Sequence, residues 1–170
     1  LINDGNTLAI YLDGNDCKGV SIAAENLCRD MKLVTGRTNV QITDNSGEKI
    51  VIDTIGHSKA IDTLAKKGGI DAKALQGKRE KFIITTVGNQ LVIAGSDRRG
   101  TIYGIYELSK QIGVSPWYYW ADTPLEHHSN IYVNMGVYTD GDPAVKYRGI
   151  FLNDEAPCLS TWVKNTFGTN

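Results

Sequence analysis

The stretch "KFIITTVGNQLVIAGSDRRGTIYGIYELSKQIG", Lys81 to Gly113, decides the fold. Phe82 to Val87 and Gln90 to Ala94 are two runs rich in β-branched residues, separated by Gly88-Asn89, a two-residue pair suited to a tight hairpin turn. Beyond them Ile102, Ile105, Tyr106, Leu108 and Ile112 recur at helical spacing and are expected to face inward, with Gly113 ending the helix. Strand, tight turn, strand and helix together imply a mixed α/β domain with at least one antiparallel hairpin.

The junction between strand and helix imitates a nucleotide site. Gly95 and Gly100 have the spacing of a phosphate loop, G-x-x-x-x-G-K-[ST], but Thr101 stands where the lysine belongs. Asp97 lies inside the loop, where its carboxylate can accept the free N–H groups of the helix start and occupy the place of an incoming phosphate. The dinucleotide pattern G-x-G-x-x-G is absent as well. Asp97 is therefore read as a cap, with the two glycines permitting a tight strand-to-helix turn.

Toward the N-terminus, Thr7 to Asp13 ("TLAIYLD") reads as a first strand. Val20, Ala23, Ala24, Leu27, Cys28, Met31 and Val34 then follow helical spacing up to Gly36, a C-cap candidate. "NVQITD" and "KIVIDTIG" are two further short apolar runs divided by the turn set "NSGE", and the polar section from Ser58 to Lys81 can hold one or two short helices. After the hairpin and its helix, "VSPWYYWADTP" sets Trp117, Tyr118, Tyr119 and Trp120 between two prolines. Four adjacent aromatics cannot all face one core, so some are expected to meet a second domain or to stack on a sugar.

Composition removes several classes of function. With 41% hydrophobic and 22% charged residues the chain has the balance of a globular domain, which argues against disorder and fibrous repeats. Its 18 basic and 19 acidic side chains leave a net charge of -1, so no cationic excess favours nucleic acid; "QGKREK" and "DRR" are interrupted by acids and read as solvated surface. Cys17, Cys28 and Cys158 form no C-x-x-C pair; Cys17 and Cys28 have the option of pairing, but burial as free thiols is the expectation. His127 and His128 are adjacent and read as an exposed loop pair, while His57 stands alone in sequence, so no metal is expected.

The second chemistry-bearing stretch is "RGIFLNDEAP", Arg148 to Pro157. "YRGIFLND", Tyr147 to Asp154, reads as a buried strand that delivers polar side chains at its C-terminal end, where (β/α)8 enzymes build their sites. Arg148 beside Asn153, Asp154 and Glu155 suits sugar hydroxyls or general acid–base work. The same "NDE" also serves as a polar turn and helix cap.

"LVIAGSDRRGTIYGIYELSKQIGVSPWYYWADTP", followed by "VKYRGIFLNDEAPCLSTWVKNTFG", resembles the N-terminal region of glycoside hydrolase family 115, the xylan α-1,2-glucuronidases, most specifically from Gly95 to Gly168. A shorter form of the first motif also resembles the accessory domains that precede the barrels of families 20 and 67. The resemblance implies a non-catalytic α/β accessory domain over residues 1–138, and over 139–170 the start of a truncated (β/α)8 catalytic barrel whose first strand is "YRGIFLND". It implies that Asp154, with Glu155 a close second, helps form the glucuronic acid pocket, Asn153 and Arg148 matching the same motif. Family members are inverting enzymes that remove (4-O-methyl-)glucuronic acid from xylan with one carboxylic acid and one carboxylate. A barrel takes about 250 residues, so the catalytic pair is expected outside this chain, on later strands, and the chain itself is expected to be an inactive fragment of a longer enzyme. The implied partners are glucuronoxylan or its oligosaccharides and the chain's own downstream barrel, with a homodimer one arrangement open to the full-length protein. Neither nucleic acid, membrane nor cofactor is implied, and the implied location is secreted or periplasmic. The alternative is a stand-alone carbohydrate-binding or interaction module built on the aromatic cluster.

Overall fold

A computed structural model describes residues 8–45, 48–118, 121–151, 153–154 and 159–168. The first strand, β1 (Leu8–Leu12), runs into helix α1 (Lys18–Thr35), and β2 (Val40–Thr43) and β3 (Ile50–Thr54) follow. Two short helices, α2 (Lys59–Lys66) and α3 (Ala72–Leu75), lead to the hairpin β4 (Phe82–Val87) and β5 (Gln90–Gly95), then α4 (Arg98–Gln111), the two-residue β6 (Val137–Tyr138) and α5 (Leu159–Phe167). All six strands join one sheet in the order β2-β1-β3-β5-β4-β6. β1 pairs in parallel with β2 and β3, and β3 with β5, whereas β4 is antiparallel to both β5 and β6.

The strands read as nearly unbroken apolar runs because helices cover both faces of the sheet. Alternation then decides which helix each residue meets. Leu8, Ile10, Ile50, Ile52, Ile84 and Ile93 point to the face packed by α1 and α4. Tyr11, Val51, Ile83 and Val92 point to the other, against α2 and α3. The seven α1 positions chosen by spacing are all buried, and Gly36 caps the helix at φ 67. Gly88 takes φ 58 in the hairpin turn, a conformation glycine adopts without steric cost.

Three expectations are corrected. Tyr106 is 44% exposed and its hydroxyl accepts from the Asn26 side-chain amide at 2.8 Å, so the inward face of α4 is carried by Ile105 and Leu108. Cys17 and Cys28 are free thiols, but only Cys28 is buried. The buried strand expected at Tyr147 to Asp154 is not formed at the described residues: Tyr147, Ile150 and Phe151 are 82%, 81% and 90% exposed. A parallel strand exists by pairing on its edges and being covered on its faces, and nothing described in this chain does either for this one. Leu152 lies outside the described residues, as do Tyr119 and Trp120 of the aromatic cluster; Trp117 is exposed and Tyr118 packs partly against the core. Among the described residues no helix is long and apolar enough to cross a membrane.

Candidate functional site

The tight turn between β5 and α4 is built as its sequence suggests. Asp97, in extended backbone at the N-cap, accepts the Gly100 N–H through Oδ1 at 2.8 Å. The glycines of the turn are required by packing. A Cβ on Gly95 would lie 2.1 Å from Thr101 Oγ1, and one on Gly100 would lie 2.2 Å from the Lys81 carbonyl oxygen. No such approach is tolerated by any side chain, so the motif presses α4 onto the hairpin.

Asp97 has a second task that its sequence position does not disclose. Its Oδ2 accepts the Glu80 N–H at 2.8 Å. Glu80 adopts φ 55, a left-handed conformation that a non-glycine residue keeps only when its surroundings hold it. They hold it from both ends, because its buried carboxylate also pairs with Arg99 at 3.2 Å and with Arg148. The hydrogen bond to Glu80 is the largest cause of the rise in Arg148's affinity for its proton. Arg148 Nη1 donates in addition to the Val145 carbonyl at 2.6 Å.

Other contacts fasten the same segment. Arg79 donates to the Pro143 carbonyl at 3.2 Å, Thr139 Oγ1 donates to the Phe82 carbonyl, and Asp142 pairs with Lys78 at 2.9 Å and with Lys81 at 3.3 Å. These two ammonium groups hold the Asp142 carboxyl below the usual range. The stretch 139–148 is thus clamped along the β4 side of the sheet. Between it and helices α1 and α4 lies an open groove of about 940 Å³ whose lining includes Asp30, Glu80, Tyr103, Tyr106 and Arg148.

The residues expected to touch sugar are not all brought together. Arg148 is at the groove and already partnered. Asn153 and Asp154 are exposed and do not line it. Asp154 accepts the Ser160 N–H at 2.8 Å and the Ser160 hydroxyl, at the start of α5. These bonds to its charged form lower its pKa, so Asp154 is ionised at neutral pH and is a hydrogen-bond acceptor, not an acid. Glu155 lies outside the described residues. Sequence reading missed Glu80 and Asp142 as anchors; the interleaving of acids with "GKREK" and "DRR", read as surface, was the available signal.

The segment from Thr139 to Arg148 is thus pinned to the α/β unit, and the residues that follow it include the exposed Ile150 and Phe151 and the exposed, polar Asn153 and Asp154. A family model described as "Glycosyl hydrolase family 115" matches residues 140–170. The solved structure titled "A novel family GH115 4-O-Methyl-alpha-glucuronidase, BtGH115A, with specificity for decorated arabinogalactans" matches with a TM-score of 0.84 and 36% identity, over 99% of this chain. It does so over 22% of its own length, so the chain spans about a fifth of that relative. The chain belongs to glycoside hydrolase family 115. Two further structures match more distantly: CpGH84D at TM-score 0.48 and 10% identity over 62% of this chain and 17% of its own, and a GH138 enzyme targeting pectin rhamnogalacturonan II at 0.44 and 19% over 78% and 11%. Comparison with curated proteins gave no match.

Proposed function

We propose that this chain is the accessory α/β domain and the entry segment of an α-glucuronidase, and that it positions a catalytic region lying outside it. The observation that carries the reading is the clamp. The residues matched by the family model, 140–170, begin where Asp142, Pro143 and Arg148 are fastened to Lys78, Arg79, Glu80 and Lys81. The domain 1–138 then fixes where the following chain, 139–170, starts its first barrel strand. Tyr147, Ile150 and Phe151 are the apolar faces that the barrel would cover, each worth about 1.5–3 kcal/mol on full burial.

Asp154 is the best-placed substrate contact within this chain. Ionised, it would repel the carboxylate of a uronic acid but accept hydrogen bonds from sugar hydroxyls, so its partner is the hydroxyl-bearing side of the ring. The inverting chemistry needs a general acid and a general base separated by room for water, and both belong to the proposed downstream region. The bond broken is that to a terminal (4-O-methyl-)glucuronic acid. Xylan is the carrier that the resemblance implies and decorated arabinogalactan the one named for the relative.

The test is release of uronic acid from glucuronoxylan and from decorated arabinogalactan, by the 170-residue chain and by a protein extended to the relative's length. The extended protein should turn over one or both, with Asp154→Ala reducing kcat/KM at least tenfold, while the short chain releases none. Turnover by the short chain would overturn the reading. A sugar-binding module is the second reading, favoured by Trp117 at 61% exposure. It requires xylo-oligosaccharides to change tryptophan fluorescence in a manner that Trp117→Ala abolishes.

A further inference from the structure

In an open α/β sheet the crevice for ligands lies beyond the carboxyl ends of parallel strands, where successive connections leave on opposite faces. Here that point falls between β1 and β3. The connection after β1 is α1, packed on one face, and that after β3 is α2, packed on the other. Three metal-binding side chains meet there: Asp16 and Cys17 from the β1–α1 turn and His57 from the turn after β3. A carboxylate oxygen, a thiol sulfur and a ring nitrogen all lie within 4.8 Å of one another.

The three donors differ in how firmly they are held. Asp16 is buried and fixed: Oδ1 accepts the Cys17 N–H at 2.6 Å and the Thr54 hydroxyl at 3.1 Å, and Oδ2 accepts the Thr54 N–H at 2.7 Å. Oδ2 therefore keeps a lone pair. Thr54 Oγ1 is itself tied to Thr101 Oγ1 at 2.8 Å, so the rest of the fold orients the carboxylate as an outer shell orients a metal ligand. Cys17 is half-buried and free, and sits at the N-cap of α1 without making a side-chain capping bond. The positive end of an 18-residue helix favours negative charge at that position. His57 is exposed, its backbone N–H held by the Thr54 carbonyl at 3.1 Å.

We propose that Asp16, Cys17 and His57 form a zinc site at the switch point of the sheet, with the fourth position open to water. One sulfur, one nitrogen and one oxygen are a donor set for zinc, and hard calcium or magnesium would not select a thiol. Tetrahedral zinc places such atoms roughly 3.3–3.7 Å apart, so the three donors, all within 4.8 Å of one another, would draw together on the ion. Binding converts the Cys17 thiol to thiolate and releases its proton to solvent. The site stands apart from the sugar-cleaving reading and does not depend on it.

The experiment titrates the metal-free 170-residue chain with ZnCl2 against a chromophoric chelator, and with CoCl2 by absorbance. One equivalent of Zn2+ should bind at micromolar or tighter Kd, and the Co2+ form should show thiolate-to-metal charge transfer. Cys17→Ser should abolish that band, and both Cys17→Ser and His57→Ala should weaken zinc at least about tenfold. A His127→Ala, His128→Ala double variant should bind as the parent chain does. Absence of saturable zinc binding, or parental affinity in either Cys17→Ser or His57→Ala, overturns the proposal. If Cys17→Ser does not fold, alkylation of Cys17 mapped by mass spectrometry decides instead: Zn2+ should slow it at least tenfold, and an unchanged rate overturns the site.

Discussion

Asp53 and Asp154 are the same side chain in two regions of one molecule, and their carboxyls shift in opposite directions. Asp53, in the middle of the sheet on β3, is fully buried; loss of solvent pushes its pKa up to about 7, against the hydrogen bonds from Ser58 and the Asp13 N–H. Asp154, on the segment beyond the sheet, lies in water and is held below the usual range by Ser160. The α/β unit decides protonation by excluding solvent. The trailing segment does so by local hydrogen bonds alone. The same contrast holds for apolar residues: Ile93 and Leu27 are at 0% exposure, whereas Ile150 is at 81% and Phe151 at 90%. One region is a finished core, and the other leaves its apolar side chains in solvent.

The largest effect expected from this contrast is on pH-dependent stability. Below the unfolded aspartate pKa of about 4, Asp53 is protonated in both states and contributes nothing to the pH dependence. As pH rises to about 7 the unfolded chain gives up this proton while the folded chain keeps it, so stability falls. Above that pH the full penalty is present, on the order of 4 kcal/mol for a carboxyl titrating at about 7 in the folded chain and at about 4 in the unfolded one. Asp53→Asn is neutral throughout and keeps an oxygen for the Asp13 N–H, so its stability relative to the parent should rise steadily between about pH 4 and about pH 7. Urea unfolding across that range measures it. Parallel curves for the two proteins would show that solvent exclusion at Asp53 is not what sets the region's behaviour. Asp154→Asn, by comparison, should leave the curve within about 0.5 kcal/mol, as exposed substitutions do.

Next in size is the turn between β5 and α4, inside the α/β unit. Gly100→Ala places a methyl group 2.2 Å from the Lys81 carbonyl oxygen, where only movement of backbone relieves the clash. Overpacking of this kind costs about 1–3 kcal/mol, and should appear in thermal melts together with weaker protection of the Glu80 and Gly100 amides from hydrogen exchange. Gly14, where an added methyl group would meet no atom within 4 Å, is the control and should tolerate alanine with little change. Equal losses at the two positions would mean that close packing of α4 on the hairpin does not set the cost.

How much of this was open to sequence reading follows from range. The hairpin, α1 and the cap at Asp97 depend on residues within a few positions, so Gly88-Asn89, the α1 spacing and the Asp97 to Gly100 interval disclosed them directly. Glu80 was opaque because its role joins residue 97 to residue 148 through one buried side chain and its backbone, and no local pattern marks such a triangle. Asp16, Cys17 and His57 were read separately, and His57 as alone, because their proximity comes from β1 and β3 being neighbours in the sheet. Asp53 did carry a signal: a carboxylate inside the apolar run "KIVIDTIG" must be buried, since both faces of that strand are covered. The strand expected at Tyr147 to Asp154 failed for the converse reason: its apolar pattern is present, but Tyr147, Ile150 and Phe151 are exposed, and no described strand pairs with it.

The smallest expected effect on stability is the one that tests the clamp itself. Arg148→Met removes one of two arginines from Glu80 and leaves Arg99 in place, so the buried carboxylate is not stranded and the fold should lose about 1 kcal/mol at most. The segment, however, loses a tie just before its uncovered apolar residues. Limited trypsin digestion should then cut after Lys146 several times faster than in the parent, while cleavage after Lys32 in α1 stays unchanged. Adding Asp142→Asn, which releases Lys78 and Lys81, should accelerate the same cut again. If the two substitutions act as one clamp the double variant will exceed the product of the single rates, because a segment held at either point is still held. If the rates simply multiply, Arg148 and Asp142 fasten the segment independently, and the α/β unit guides the following chain at two separate points.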